Sequence, residues 1–310
     1  MAKRKQWVVG AVLAVVALSV LLILFRPGAH RADGPSAGNT VAVVRLEGMI
    51  ADAGAGAGAG LLGGESGSGQ VLEALRRLQQ DKQIKAVVLR INSPGGTSAA
   101  SQEIGREVDR LRESGKVVVA SMGDVAASGG YWVAARADKI VANAATTTGS
   151  IGVILDLANL TELYQKIGYR PNVIKSGPYK DIASSAREMT PEERAILQGM
   201  VDDIYQQFID VVAEGRHMPH EQVRALADGR VFTGRQAKEL GLVDELGNFY
   251  DAVALAGTMA GIRGEPEIRE YGRGSALDRL LSGMTSTGLF GQTLSPVRLL
   301  DLLQPKNPLP

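Results

Sequence analysis

The sequence predicts an α/β fold with a mainly parallel sheet, set behind one N-terminal membrane span. Three observations predict it. Between residues 41 and 143, short apolar runs alternate with helix-like segments, the pattern of strands joined by crossover helices. Two Gly/Ser-rich loops, NSPGGTS (92–98) and DVAASGG (124–130), each follow such a run, and ligands of parallel sheets collect at strand C-termini. Ahead of this pattern, residues 7–25 (WVVGAVLAVVALSVLLILF) carry no charge.

That first segment holds 19 residues, about 28 Å at 1.5 Å per residue, close to a bilayer core of roughly 30 Å. Lys3, Arg4 and Lys5 precede it, so the short 1–6 segment is expected in the cytoplasm and all that follows Phe25 outside it. A cleaved signal peptide would have a shorter apolar region and an A-x-A-like site. Here Arg26-Pro27 follows instead, which favours an uncleaved anchor. With no cysteine in the chain there is no lipid attachment, disulfide or thiol nucleophile.

Residues 26–40 read as a linker, and the soluble domain is expected over 41–274. Its first strand is VAVVRLEG (41–48). The Gly-rich 51–69 stretch that follows costs too much backbone entropy to hold a fixed form unaided, and reads as a surface loop rather than a gating flap. A helix fits 70–80, a buried strand 86–91, a helix 99–114, a strand 117–122, a helix from the Ser128 loop to about 137, and a strand 140–143. Thr190, Pro191 and Glu193 form a capping box that opens a long helix ending near Glu214. Its apolar stripe (Ile196, Met200, Ile204, Tyr205, Phe208, Val212) suits a core face and also a subunit contact. VFTGRQAKELGLVDELG (231–247) reads as helix, turn and strand, and 275–310 as a leucine-rich arm.

The 310 residues are 45% hydrophobic and 22% charged, ordinary for a globular protein. Net charge is +1, and without the three anchor-flanking cations the rest is mildly acidic, which argues against a nucleic-acid partner. Within this frame Ser128 stands out, flanked by an Ala pair and a Gly pair that leave its hydroxyl uncrowded. A nucleophilic serine needs a base. His30 lies in the linker, while His217 and His220, three apart around Pro219, read as solvated surface residues without a third metal ligand. Lys180 in KSGPYKDIAS remains. It would serve only when neutral, so burial must lower its ordinary pKa of about 10.4, and Asp181 would work against that if it paired with the amine. By spacing alone, a surface Lys-Asp pair is the better explanation of these residues. The glycines of INSPGGTS suit an oxyanion or phosphate site, and also a plain Pro-Gly turn.

Taken together and in order, NSPGG, DVAASGGYW, TTTGSIGVI (146–154), KSGPYKDIASSAREMTPEER (175–194) and DGRVFTGRQAKELGLVDELG (228–247) closely resemble the short form of signal peptide peptidase A. This is a membrane-anchored serine protease family whose likeness covers about residues 41–262. The resemblance implies a core of repeated β-β-α units like the Clp protease and crotonase group. It implies a Ser-Lys dyad of Ser128 and Lys180, with Ser150 positioning the lysine and backbone N–H groups of Gly129 and Gly96, or Gly95, as oxyanion donors. It implies no metal or cofactor, signal-peptide remnants as substrates, and a ring or dome of identical subunits, an octamer by likeness. Crotonase-like acyl-CoA chemistry would belong in the cytoplasm, against the expected topology. A non-catalytic scaffold of the same fold would not need both Ser128 and Lys180.

Overall fold

The computed structural model describes residues 39–52 and 68–272. The expected span at 7–25, most of the Gly-rich stretch and the 275–310 arm lie outside them. No helix among the described residues is long and apolar enough to cross a membrane.

The first three strands, β1 (Thr40–Glu47), β2 (Ala86–Ser93) and β3 (Val117–Ala127), lie side by side and parallel, joined by α1 (Ser68–Gln80) and α2 (Ser98–Glu113). Their residues are apolar at nearly every position because both faces are covered. Ala42, Val44, Leu46, Leu89 and Met122 pack against α1, α2 and the helices that follow. Val41, Val43, Val88 and Val119 pack on the other side against Ala252, Val253 and Ala256 of α8 (Phe249–Met259). Each such buried Val or Leu stabilises the fold by about 1.5–3 kcal/mol relative to exposure.

The remaining strands extend this sheet. β4 (Lys139–Ala142) pairs with the first part of β3, and β5 (Thr147–Gly149) with its last part, both parallel. β6 (Val231–Thr233) adds antiparallel to β5, β7 (Glu245–Leu246) pairs with β4, and β8 (Glu267–Tyr271) closes the far edge beside β1. The other helices are α3 (Gly129–Ala134), α4 (Thr161–Lys166), α5 (Pro191–Arg216), α6 (His220–Leu226) and α7 (Gly234–Glu239).

The mixed α/β reading with a mainly parallel sheet is correct, with local differences. β3 runs past Met122 to Ala127. Its second half lacks an apolar run, yet Asn92 Oδ1 accepts the Val125 N–H, and the Thr146 and Thr148 hydroxyls donate to the Gly123 and Ala126 carbonyls. The helix after Ser128 stops at Ala134, three residues short of the expected end. β8 (EIREY) is an edge strand rich in charge, where Glu270 meets Arg45 at 2.7 Å, so no apolar run announces it.

The capping box at α5 is present: Glu193 N–H donates to Thr190 Oγ1, and Glu193 Oε2 accepts from Thr190 N–H. Only the second half of this helix reaches the hydrophobic core, through Phe208, Ile209 and Val212, with the Phe208 ring tilted against Trp132 at a centroid distance of 4.8 Å. Its first half projects outward, leaving Ile196 and Met200 exposed. His217 is the left-handed C-cap of α5, and His220 opens α6 beside Asp210.

Candidate active site

Ser128 sits where β3 turns into α3, the carboxyl end of a central strand. Its backbone adopts φ 52°, ψ −124°, a conformation costing about 1–3 kcal/mol for a residue with a Cβ. Strained strand-to-helix turns of this kind push a side chain clear of the sheet. The turn is held by Ser128 N–H donating to the Gly149 carbonyl at 2.9 Å and Trp132 N–H donating to the Ser128 carbonyl.

The glycine loop after β2 meets this turn. A Cβ on Gly95 would fall 2.7 Å from Ser128 Cβ and 2.8 Å from Gly129 N, so only glycine lets the two loops approach this closely. Gly95 N–H is already engaged by Ser93 Oγ at 3.1 Å. Gly96 is bridged to Ile50: Ile50 N–H donates to the Gly95 carbonyl, and Thr97 N–H to the Ile50 carbonyl. In a parallel bridge of that register the Gly96 N–H faces away from Ile50. Gly129 is the first residue of α3, so its N–H has no intrahelical acceptor.

These parts open on a cleft of about 410 Å³, whose walls include Ser128, Gly96, Ser150, Ile154, Tyr205 and Asp228. Ser150 directly follows β5, with a positive φ of 50°, and donates its N–H to the Arg230 carbonyl at 2.8 Å. The structure therefore brings Ser128, Ser150, Gly95, Gly96 and Gly129 into one place from three separated stretches of sequence.

Lys180 is not among the cleft-lining residues. It is exposed on a chain of turns spanning 177–184, its N–H donating to the Gly177 carbonyl. Much of the 154–180 segment is exposed to solvent, including large apolar side chains: Ile154 is 91% and Ile174 96% exposed, with Ile167, Tyr169 and Val173 more than half exposed. The Asp181 carboxylate is taken by Lys175 and Arg187, and no ion pair joins it to Lys180.

Two polar residues of the cleft, Tyr205 and Asp228, escape the sequence reading. Tyr205 reads as part of a core stripe, but it lines the cleft and donates its hydroxyl to the Ala227 carbonyl. Asp228 and its partner Arg230 form an ion pair at the cleft edge, and hydrogen bonds from Arg230 hold the Asp228 carboxyl down at about 2. The DGR triplet was the available signal. Among the described residues no group of three or more His, Asp or Glu could hold a metal.

Residues 110–263 match the model of peptidase family S49. A protein of Synechocystis sp. named as a protease is 52% identical over 62% of this chain and 69% of its own length. The chain belongs to peptidase family S49. It is similar to a protein of Enterococcus faecium named as the signal peptide peptidase SppA, 42% identical over 59% of this chain and 53% of that one. The chloroplastic serine protease SPPA of Arabidopsis thaliana is 40% identical over 70% of this chain and 33% of its own. This S49 member is a serine-type peptidase. It spans only part of the length of each relative.

Proposed function

We propose that the chain is a membrane-tethered, extracytoplasmic endopeptidase with Ser128 as nucleophile and Lys180 as general base. Its substrates are signal-peptide remnants and other unfolded apolar segments. The observation that carries this reading is the strained Ser128 turn packed against the Gly95-Gly96 loop at one cleft.

Ser128 Oγ attacks the peptide carbonyl carbon while Lys180 Nζ takes the hydroxyl proton. The developing oxyanion is held by Gly96 N–H and Gly129 N–H; Gly96 is preferred over Gly95 because the Gly95 N–H is spent on Ser93. The lysine passes its proton to the leaving amine, and water then hydrolyses the acyl-enzyme ester. Val153, Ile154 and Tyr205 on the cleft wall suit apolar substrate side chains. Anchoring through 7–25 raises effective concentration against membrane-bound substrates. Parallel strands ending at Ser128 support the likeness to the Clp protease and crotonase group.

The exposed position of Lys180 supports a dyad completed between copies. The 153–190 segment and the first half of α5 extend from the core with apolar residues uncovered, as expected of an arm that packs on a neighbour. A head-to-tail contact repeated around a closed ring places each Lys180 in the next copy's Ser128 cleft. This burial also supplies the dry surroundings that a neutral lysine requires.

The test is covalent. A serine-reactive fluorophosphonate incubated with the assembled protein should modify Ser128; folded, assembled protein that takes up no label at Ser128 excludes it as the nucleophile. Ser150 has a separate signature. If its hydroxyl holds the incoming lysine amine, Ser150→Ala lowers kcat by roughly ten- to a thousandfold with KM nearly unchanged. Steady-state kinetics on a peptide substrate check this, and full activity removes Ser150 from the machinery.

A further inference from the structure

We infer that Arg187 is a positioning residue for the Ser128 peptidase reaction: it holds the Asp181 carboxylate away from the Lys180 amine and ties the Lys180 turn to the start of α5. The inference rests on the reading of Lys180 as the base.

Asp181 adjoins Lys180 in sequence, so it is the carboxylate best placed to capture that amine. The structure engages it elsewhere. Arg187 Nε donates to Asp181 Oδ2 at 3.0 Å and Arg187 Nη2 to Oδ1 at 2.8 Å, a bidentate fork, while Lys175 Nζ donates to Oδ1 at 2.6 Å. The rest of the guanidinium points the other way. Nη1 donates to Glu193 Oε2 at 2.8 Å and to the Glu188 carbonyl at 3.0 Å, and Nη2 also reaches Glu193 Oε1. All five N–H donors of Arg187 are thereby used, which only the planar guanidinium allows.

Glu193 is the fixed end of this chain. It is 2% exposed and shares in the α5 capping box through Thr190. Hydrogen bonds from Arg187, then from Thr190, bring its carboxyl down to about 2, so it stays ionised wherever the enzyme works. Asp181 is held well below the usual carboxylate range by Arg187 first and Lys175 second. Lys175 Nζ also caps the Pro178 carbonyl, so both cations fasten the turn that presents Lys180.

On the Lys180 segment the network engages Lys175, Asp181, Arg187 and Glu193, with Asp181 paired to two cations, and Glu188 and Arg194 flank it. The charged residue lining the Ser128 cleft is Asp228, already paired with Arg230, beside the hydroxyls of Ser128, Ser150 and Tyr205. Without Arg187, Asp181 is held by Lys175 alone and is freer to turn to the Lys180 amine, which would favour the protonated form of that amine and move the acid limb to higher pH.

The experiment follows kcat/KM against pH for an internally quenched apolar peptide, using the full-length assembled enzyme. Arg187→Met should shift the acid limb upward by about one pH unit. The double variant Arg187→Met with Asp181→Asn should return the limb to its wild-type position, although kcat stays reduced because the turn is loosened. Glu193→Gln, which weakens the grip on Arg187 while leaving Asp181 intact, should give a smaller upward shift and serves if Arg187→Met does not assemble. An unmoved limb in the assembled variants overturns the inference, as does a limb that moves equally with and without the Asp181 carboxylate. Lys180→Met separates the two levels: an active Lys180→Met enzyme removes the base assignment itself, whereas an inactive one with an unmoved Arg187→Met limb removes only the positioning role.

Discussion

Ser128→Ala and Lys180→Met enzymes, each reduced in activity by at least about a thousandfold, should regain peptidase activity when assembled together. In a head-to-tail ring, every site draws its serine from one copy and its lysine from the next. Where a Lys180→Met copy, which keeps Ser128, receives the arm of a Ser128→Ala copy, which keeps Lys180, one complete dyad forms. Random mixing of equal amounts makes this arrangement at roughly one site in four, so activity should return to roughly a quarter of wild type. The measurement is hydrolysis by co-expressed, doubly tagged assemblies purified through both tags. Mixed assemblies that stay inactive would show that Ser128 and Lys180 must come from the same chain.

The single-chain geometry explains why this outcome is expected. Every other element of the site is assembled within one copy: the Ser128 turn, the Gly96 and Gly129 amides, and Ser150 following β5. Their placement follows from backbone hydrogen bonds between neighbouring strands, and the strain at Ser128 is held by its bonds to Gly149 and Trp132. Lys180 alone stands on a segment that contributes no buried large apolar side chain to its own core. A segment with Ile154, Ile167 and Ile174 exposed gains nothing from water, and its ordering is understandable once another surface covers it.

How much of this was legible in the residues depends on where the information resides. Strands buried on both faces announce themselves as apolar runs, so AVVLRI and VVVASM were readable. The α5 start was readable because a capping box is a local rule satisfied by Thr190, Pro191 and Glu193. β5 and the second half of β3 were not, since threonine hydroxyls and Asn92 rather than apolar periodicity hold them together. α8, built largely of small residues around an Asn248 cap, went unassigned for a similar reason. Ser128 was conspicuous for its small neighbours. Tyr205 was not, because spacing along a helix does not tell a core stripe from one that passes under a cleft. Asp181 illustrates the limit: its orientation is decided by Arg187, six residues on, and no spacing rule reports that contact.

The arm itself gives the remaining large effect. Ile174 is 96% exposed and Ile167 65% exposed in the single chain, so replacing both by aspartate should cost the isolated core almost nothing. In the assembly the same change would bury unpaired carboxylates against a neighbour, a penalty of several kcal/mol per charge. Ile167→Asp with Ile174→Asp should therefore sediment as separate chains, lose activity to the level of Lys180→Met, and keep the thermal unfolding of the core. A control substitution, Gln222→Asp on exposed α6, should leave size and activity unchanged. The two results must move together for the arm to be the contact. A double variant that keeps the wild-type sedimentation and rate would show that residues 153–190 do not join one copy to the next, and the route by which Lys180 reaches Ser128 would have to lie within the chain.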